Sequence, residues 1–234
     1  MDQSLVIILP KTENLKLCQN YCTISLISHP SIVMLKVILN LRLKRSLRWK
    51  KLASDQIAVT LKNKFAIIIK SILMERYLKH EKELHHVFIH FKKAFDKVWH
   101  EVFWSTMRKY NINSNFISVI EFLYKEATNA VFCNNNIGDR FGTTVGVRQG
   151  CLLSPTLFNI FLERIMTDVL EDHFGTVSIG GRPVTNLRFA DDIDGLAGNE
   201  SELASLVKQL EKASSNFGMD ISAEKTKIMT NSKE

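Results

Sequence analysis

The chain has 234 residues, 45% of them apolar and 24% charged, with a formal net charge of +7. This is one large domain or two small ones, with enough apolar content for a buried core. Charges such as Lys36 and Lys70 interrupt every apolar run and no basic region precedes the first one, so no membrane span, membrane partner or secretory signal is expected and the chain reads as intracellular.

In chain order, Leu5 to Leu9 reads as a short strand stopped by Pro10, and Ile24 to Ile27 as another. Cys18, Cys22, Cys133 and Cys151 form no paired framework, as in a reducing compartment. Ser31 to Leu43 has a helical apolar pattern with Ser31 at the cap. Residues 44–63 are basic and lack a clean period. Around their start lies the cluster Arg42, Lys44, Arg45, Arg48, Lys50 and Lys51. Residues 1–80 hold fourteen Lys and Arg against four Asp and Glu, while 81–234 hold seventeen against twenty, so the basic excess is entirely N-terminal. Such a run is either a solvated face or an electrostatic footprint for nucleic acid.

Lys64 to His80 reads as a helix and Val87 to Phe91 as a strand. Helices over Val102 to Tyr110 and Ser114 to Glu126 are split by Asn111-Ile112-Asn113, with Ser114 as the second cap. Ala130 to Phe132 and Phe141 to Val145 flank the polar stretch 134–139, a hairpin signature. Leu153 to Glu171 is an amphipathic helix with Ser154 at the cap and Pro155 at the first position. Val177 to Ile179 and Val184 to Ala190 bracket a turn at Gly180-Gly181-Arg182-Pro183. Glu200 to Phe217 is helical, and Ile221 and Lys227 to Thr230 are late strands. The alternation in the second half is of the α+β kind.

Phe189-Ala190-Asp191-Asp192 stands between apolar runs and reads as strand, acidic turn, strand. Two carboxylates at a hairpin tip suit a divalent metal, which takes hard oxygen ligands. Three further segments belong with this pair: Val87 to Asp96 (VFIHFKKAFD), Gly146 to Pro155 (GVRQGCLLSP) and Gly218 to Lys227 (GMDISAEKTK). Alone, each is weak. In this order and spacing they resemble the reverse transcriptase of non-LTR (LINE-type) retrotransposons from about Val87 to Thr230. A fainter likeness lies in Ile8 to Lys11 and Asn20 to Leu26.

The resemblance implies a right-hand polymerase palm, an antiparallel sheet with packed helices, preceded by partial fingers. It divides the chain into a degenerate fingers remnant, 1–86, and a palm, 87–234, with a fingers-side insertion at about 101–146. By the same resemblance, Asp191 is the principal metal ligand and Asp192 the supporting carboxylate for Mg²⁺. Phe95 is the steric gate that rejects a ribose 2′-hydroxyl. Asp96, Gln149, Gly150, Lys225 and Lys11 lie at the nucleotide. The partners implied are an RNA template, a DNA primer and dNTPs. By themselves, Phe95 would be a core residue, Asp96 a helix cap, Gln149-Gly150 an ordinary turn and Lys225 an exposed lysine.

Departures from the pattern are as informative. The family places a third catalytic carboxylate five residues before the gate, and this chain has His90 there. Losing a charge and its ligand oxygens at a two-metal site is expected to cost roughly 10³-fold or more in rate. Cys22 stands where an arginine usually reaches the triphosphate, and a thiol cannot make that charged fork. Between Leu43 and Lys70 the likeness fails, and no thumb or preceding endonuclease is recognisable. The chain therefore reads as a truncated, decayed copy, an RNA-directed DNA polymerase by ancestry that is inactive at His90. The alternative reading is a non-catalytic nucleic-acid-binding or interaction protein derived from a retroelement.

Overall fold

The computed structural model describes residues 3–10, 16, 20–26, 28–38, 59–60, 63–133, 135–171 and 173–231. Lys11, Cys18 and the basic cluster from Arg42 to Lys51 lie outside them. In chain order the elements are β1 (Gln3–Pro10), β2 (Tyr21–Leu26), α1 (His29–Ile38), β3 (Val59–Thr60), α2 (Asn63–Lys79), β4 (His85–His90) and a 3₁₀ turn (Ala94–Asp96). Then come α3 (His100–Lys109), α4 (Ser114–Lys125), β5 (Thr128–Cys133), β6 (Asn136–Phe141) and α5 (Ser154–Leu170). The last are β7 (Ser178–Ile179), β8 (Arg182–Pro183), β9 (Asn186–Phe189), β10 (Asp192–Ala197), α6 (Glu200–Asn216) and β11 (Lys227–Thr230). Among the described residues no helix is long and apolar enough to cross a membrane.

Packing groups Met1–Arg48 with Phe95–Phe161, and Trp49–Ala94 with Leu162–Glu234. The first unit holds a sheet of order β2-β1-β5-β6. β1 runs antiparallel to β2 and parallel to β5, with Val6 opposite Val131. Ser4 Oγ donates to Asn129 Oδ1 at 2.5 Å, and both residues are buried. This satisfied polar pair pins the parallel register, since either group left alone would be an unpaired buried dipole. α3 buries Phe103, Trp104 and Met107, and α4 buries Phe116, Ile117 and Ile120, the three-and-four spacing of an amphipathic helix.

Three boundaries in this unit differ from expectation. Asn113, not Ser114, caps α4: its Oδ1 accepts from the backbone N–H of Asn115 at 3.0 Å and of Phe116 at 3.4 Å. Ser28, not Ser31, stands before α1, with its Oγ 3.4 Å from the Ser31 backbone N–H. In each case the chain turns helical earlier than the apolar pattern suggests, so the capping side chain comes from the preceding polar residue. The return strand of the hairpin is β6, not Phe141 to Val145. β6 is exposed along its whole length at the sheet edge, so no apolar alternation marks it.

The second unit holds a sheet of order β11-β4-β10-β9-β3, antiparallel except for the β3–β9 pair. Side chains alternate across it. Val87 and Ile89 of β4 share one face with Ile193 and Gly195 of β10, by register. A Cβ on Gly195 would fall 2.8 Å from Val87 Cγ1 and 3.1 Å from Leu206 Cδ2, so α6 sits directly on this face. α6 buries Leu203, Leu206 and Leu210 there and is capped by Asn199, whose Oδ1 accepts from the Glu202 backbone N–H at 2.9 Å. A second cluster joins Leu73 of α2 to Leu84, Val184, Leu187 and Leu196. The expected α+β architecture is present. Its sheets are mixed, because β1–β5 and β3–β9 are parallel.

Candidate active site

β9 and β10 pair with Phe189 opposite Asp192, which leaves Ala190 and Asp191 as the hairpin tip. Ala190 sits at φ +53°, a left-handed conformation that costs a non-glycine residue about 1–3 kcal/mol. The hairpin is held from behind by Arg188, only 4% exposed, which donates to Glu163 Oε2 of α5 at 2.8 Å. That charge-assisted bond fixes the strand immediately before the tip.

The other neighbour of β10 is β4, with His90 opposite Asp192. The His90 Nδ1 atom lies 2.9 Å from Asp192 Oδ1 and 3.9 Å from Asp191 Oδ2. One pleat along the same face, Asp194 Oδ1 lies 3.0 Å from His86 Nδ1, and its Oδ2 lies 3.7 Å from Lys70 Nζ. The turn carrying Lys225 hangs on the same strand: Ser222 N–H donates to the His90 carbonyl at 2.8 Å, and Lys225 N–H to the Ser222 carbonyl at 3.2 Å. A cleft of about 370 Å³ opens here, lined by Lys70, Phe88, His90, Asp192, Asp194 and Lys225 among others.

The acidic pair, position 90 and Lys225, distant in sequence, are therefore brought to one sheet end. Lys70, Asp194 and Arg188 are participants that motif reading missed. A period-2 count from Asp192 would have put Asp194 on its face. Nothing marks Lys70, one of three lysines in α2.

The side chains present do not form the three-carboxylate set implied for Mg²⁺. Among the described residues no three His, Cys, Asp or Glu side chains are grouped to hold a metal ion. A carboxylate only accepts, so Nδ1 of His90 carries the proton and donates to Asp192, and that nitrogen has no lone pair to offer a cation. Two carboxylates remain, one of them already engaged.

In the other unit, Phe95 stacks on Phe158 with ring centroids 4.7 Å apart, and its carbonyl accepts from Val147 N–H at 2.7 Å. Asp96 Oδ1 accepts from Gln149 Nε2 at 3.0 Å, so these two motif residues meet side chain to side chain. The Gln149 carbonyl accepts from Ser25 N–H at 2.9 Å. Gly150 has φ +96°, and a Cβ there would meet the Ser25 carbonyl at 3.0 Å, so the turn takes only glycine without strain. His100 Nε2 donates to the Gly146 carbonyl at 2.7 Å, anchoring the loop's start. Burial nevertheless holds the imidazole of His100 below its ordinary pKa, outweighing that hydrogen bond. Phe95, Asp96, Gln149 and Gly150 are thus gathered in this unit, and His90, Asp191, Asp192 and Lys225 in its counterpart.

The family profile for reverse transcriptase (RNA-dependent DNA polymerase) matches residues 10–234. The chain is similar to the retrovirus-related Pol polyprotein of the type-2 retrotransposable element R2DM of Drosophila melanogaster. The identity is 27% over 227 residues, covering 94% of this chain and 20% of that protein. It is also 29% identical to the Pol polyprotein of the type-1 element R2 of Popillia japonica over 126 residues, covering 52% of this chain and 21% of that one. Among solved structures, it resembles telomerase from Candida albicans in complex with a fragment of telomeric RNA. There the TM-score is 0.74 at 13% identity, covering 100% of this chain and 42% of that chain. Apo telomerase from Candida tropicalis, truncated from its C-terminal domain, gives 0.70 at 17%, covering 99% and 51%. The chain spans about a fifth of the length of the curated relatives it matches.

Proposed function

We propose, from the premise that this chain belongs to the reverse transcriptase (RNA-dependent DNA polymerase) family, that it is a non-LTR retrotransposon polymerase domain disabled at position 90. An intact domain of this descent would extend a DNA primer on an RNA template using dNTPs and Mg²⁺. In this reading Asp191 and Asp192 are the surviving metal ligands. Phe95, buttressed by Phe158, is the sugar gate. The family likeness assigns Asp96, Gln149, Gly150, Lys225 and Lys11 to the nucleotide, and divides the chain into a palm at 87–234, with an insertion at about 101–146, and a fingers remnant at 1–86.

The observation that carries the proposal is the His90–Asp192 hydrogen bond at 2.9 Å. It replaces a carboxylate by a donor that engages one of the two remaining acids, where a hard cation needs oxygen ligands. Primer extension on an RNA template by the wild type and by His90→Asp, each with Mg²⁺ and with Mn²⁺, tests it. No extension by the wild type is expected, even with Mn²⁺. Extension by the variant alone would locate the defect at position 90. Failure of both would place a further defect elsewhere, and robust templated extension by the wild type would refute the proposal.

A second reading, a nucleic-acid-binding protein without catalysis, is favoured by the confinement of the basic excess to residues 1–80. The RNA-bound state of the Candida albicans relative supports a nucleic-acid partner under either reading.

A further inference from the structure

The mismatch with a metal site extends beyond His90. Side chains two apart on a strand share a face, so Asp194 looks into the same cleft as Asp192, and both line it. Each already meets a base of the protein: Asp192 meets His90, and Asp194 meets His86 and Lys70. Lys70 is the ammonium among these partners, and its position is doubly determined. Its Nζ lies 3.7 Å from Asp194 Oδ2 and 3.8 Å from the centroid of the Phe88 ring, a cation–π geometry. Phe88 is the register partner of Asp194 on β4, so carboxylate and ring form one seat for the ammonium. One turn along α2, Leu73 is 1% exposed in the core cluster, which keeps Lys70 turned toward the sheet.

We infer that Lys70 is a built-in counter-ion of this cleft, a protein cation that competes with a divalent metal ion for the acidic face of β10. The inference rests on the reading of Asp191 and Asp192 as metal ligands. A divalent ion on those carboxylates meets a fixed like charge in a cleft that is partly shielded from water, where repulsion is stronger than in bulk solvent. The same contact commits Asp194 to the ammonium and removes its charge from the ion's field. His90 and Lys70 thus depress cation affinity separately, one by removing a ligand and the other by opposing the charge.

The test is Mn²⁺ affinity, read from the electron paramagnetic resonance of the free ion, for the full chain as wild type, His90→Asp, His90→Asp/Lys70→Met and His90→Asp/Lys70→Arg. Methionine keeps the apolar stem over Phe88 without its charge. In the His90→Asp background, Lys70→Met should tighten Mn²⁺ binding about tenfold, whereas Lys70→Arg should leave it unchanged. Circular dichroism and amide exchange in α2 check that the helix is retained, with Lys70→Gln as the replacement if the methionine variant unfolds. If His90→Asp binds Mn²⁺ and removing the lysine charge adds nothing, the counter-ion role is overturned while the ligand reading stands. If neither His90→Asp nor its Lys70→Met derivative binds Mn²⁺, the ligand reading itself fails. Binding only in the double variant would make Lys70 the dominant obstacle.

Discussion

At the scale of single residues, histidines decide much of this chain's behaviour, and they do so in different ways. His90 acts through a hydrogen bond at the acidic hairpin. His100 and His173 act through burial. Desolvation pushes both imidazoles below the ordinary value of 6.5. In His100 it outweighs the bond to the Gly146 carbonyl, and in His173 it outweighs the Glu202 carboxylate 3.9 Å away. A lowered folded-state pKa means that the unfolded chain takes up protons first as pH falls. The contribution of these groups to stability is therefore complete above 6.5 and is lost as pH drops below it. Urea midpoints measured from about pH 7 to about pH 5.5 should fall, and replacing both residues by asparagine should flatten the slope. An equally steep slope in the double variant would assign the effect to other groups. The placement of His90 was legible in the sequence, because matching residues flank it. The burial of His100 and His173 was not, since a lone histidine on a helix or in a loop carries no mark of its surroundings.

At the scale of elements, most helices and strands follow from apolar spacing, and the exceptions are physical. A cap is defined by where the backbone leaves the helix, which an apolar period locates only to within a residue or two. Asn113→Ala should destabilise the first unit by about 1 kcal/mol, because it removes the acceptor for two N–H groups at the start of α4. Ser114→Ala, inside the helix, should be close to neutral or slightly favourable. Equal losses in urea unfolding would return the capping role to Ser114. β6 escaped notice because an exposed edge strand needs no alternating pattern. The identity of α2 as a helix was readable, but not which of its faces meets the sheet. Ile68, Ile72 and Leu78 are exposed while Leu73 is buried, so its apolar residues surround the axis and periodicity alone cannot orient it.

At the scale of the whole molecule, charge is divided along the chain: residues 1–80 carry the basic excess, and 81–234, which include the acidic hairpin, are slightly acidic. If the N-terminal cluster contacts RNA, affinity must depend on salt through release of counterions. Neutralising Arg42, Lys44, Arg45, Arg48, Lys50 and Lys51 together should weaken RNA binding and lower the slope of log affinity against log salt by up to about 4, at about 0.7 per phosphate contact on a single strand. An unchanged slope would show that these residues form a solvated face and nothing more.

The sequence by itself determined the family and singled out His90 as a departure from the family pattern. Ordered motifs with fixed spacing need no coordinates to be recognised, and a histidine among matching neighbours is visible as an intruder. It also located most of the helices and strands, because the burial of one face imposes a period. Only the tertiary structure decided what the intruder does. That His90 donates to Asp192, that Lys70 lies 3.7 Å from Asp194, and that Arg188 braces the hairpin against Glu163 all depend on strand register and on the rotation of α2 and α5. Register and helix rotation bring together residues far apart in sequence, and no local pattern of residue types encodes which of them will meet.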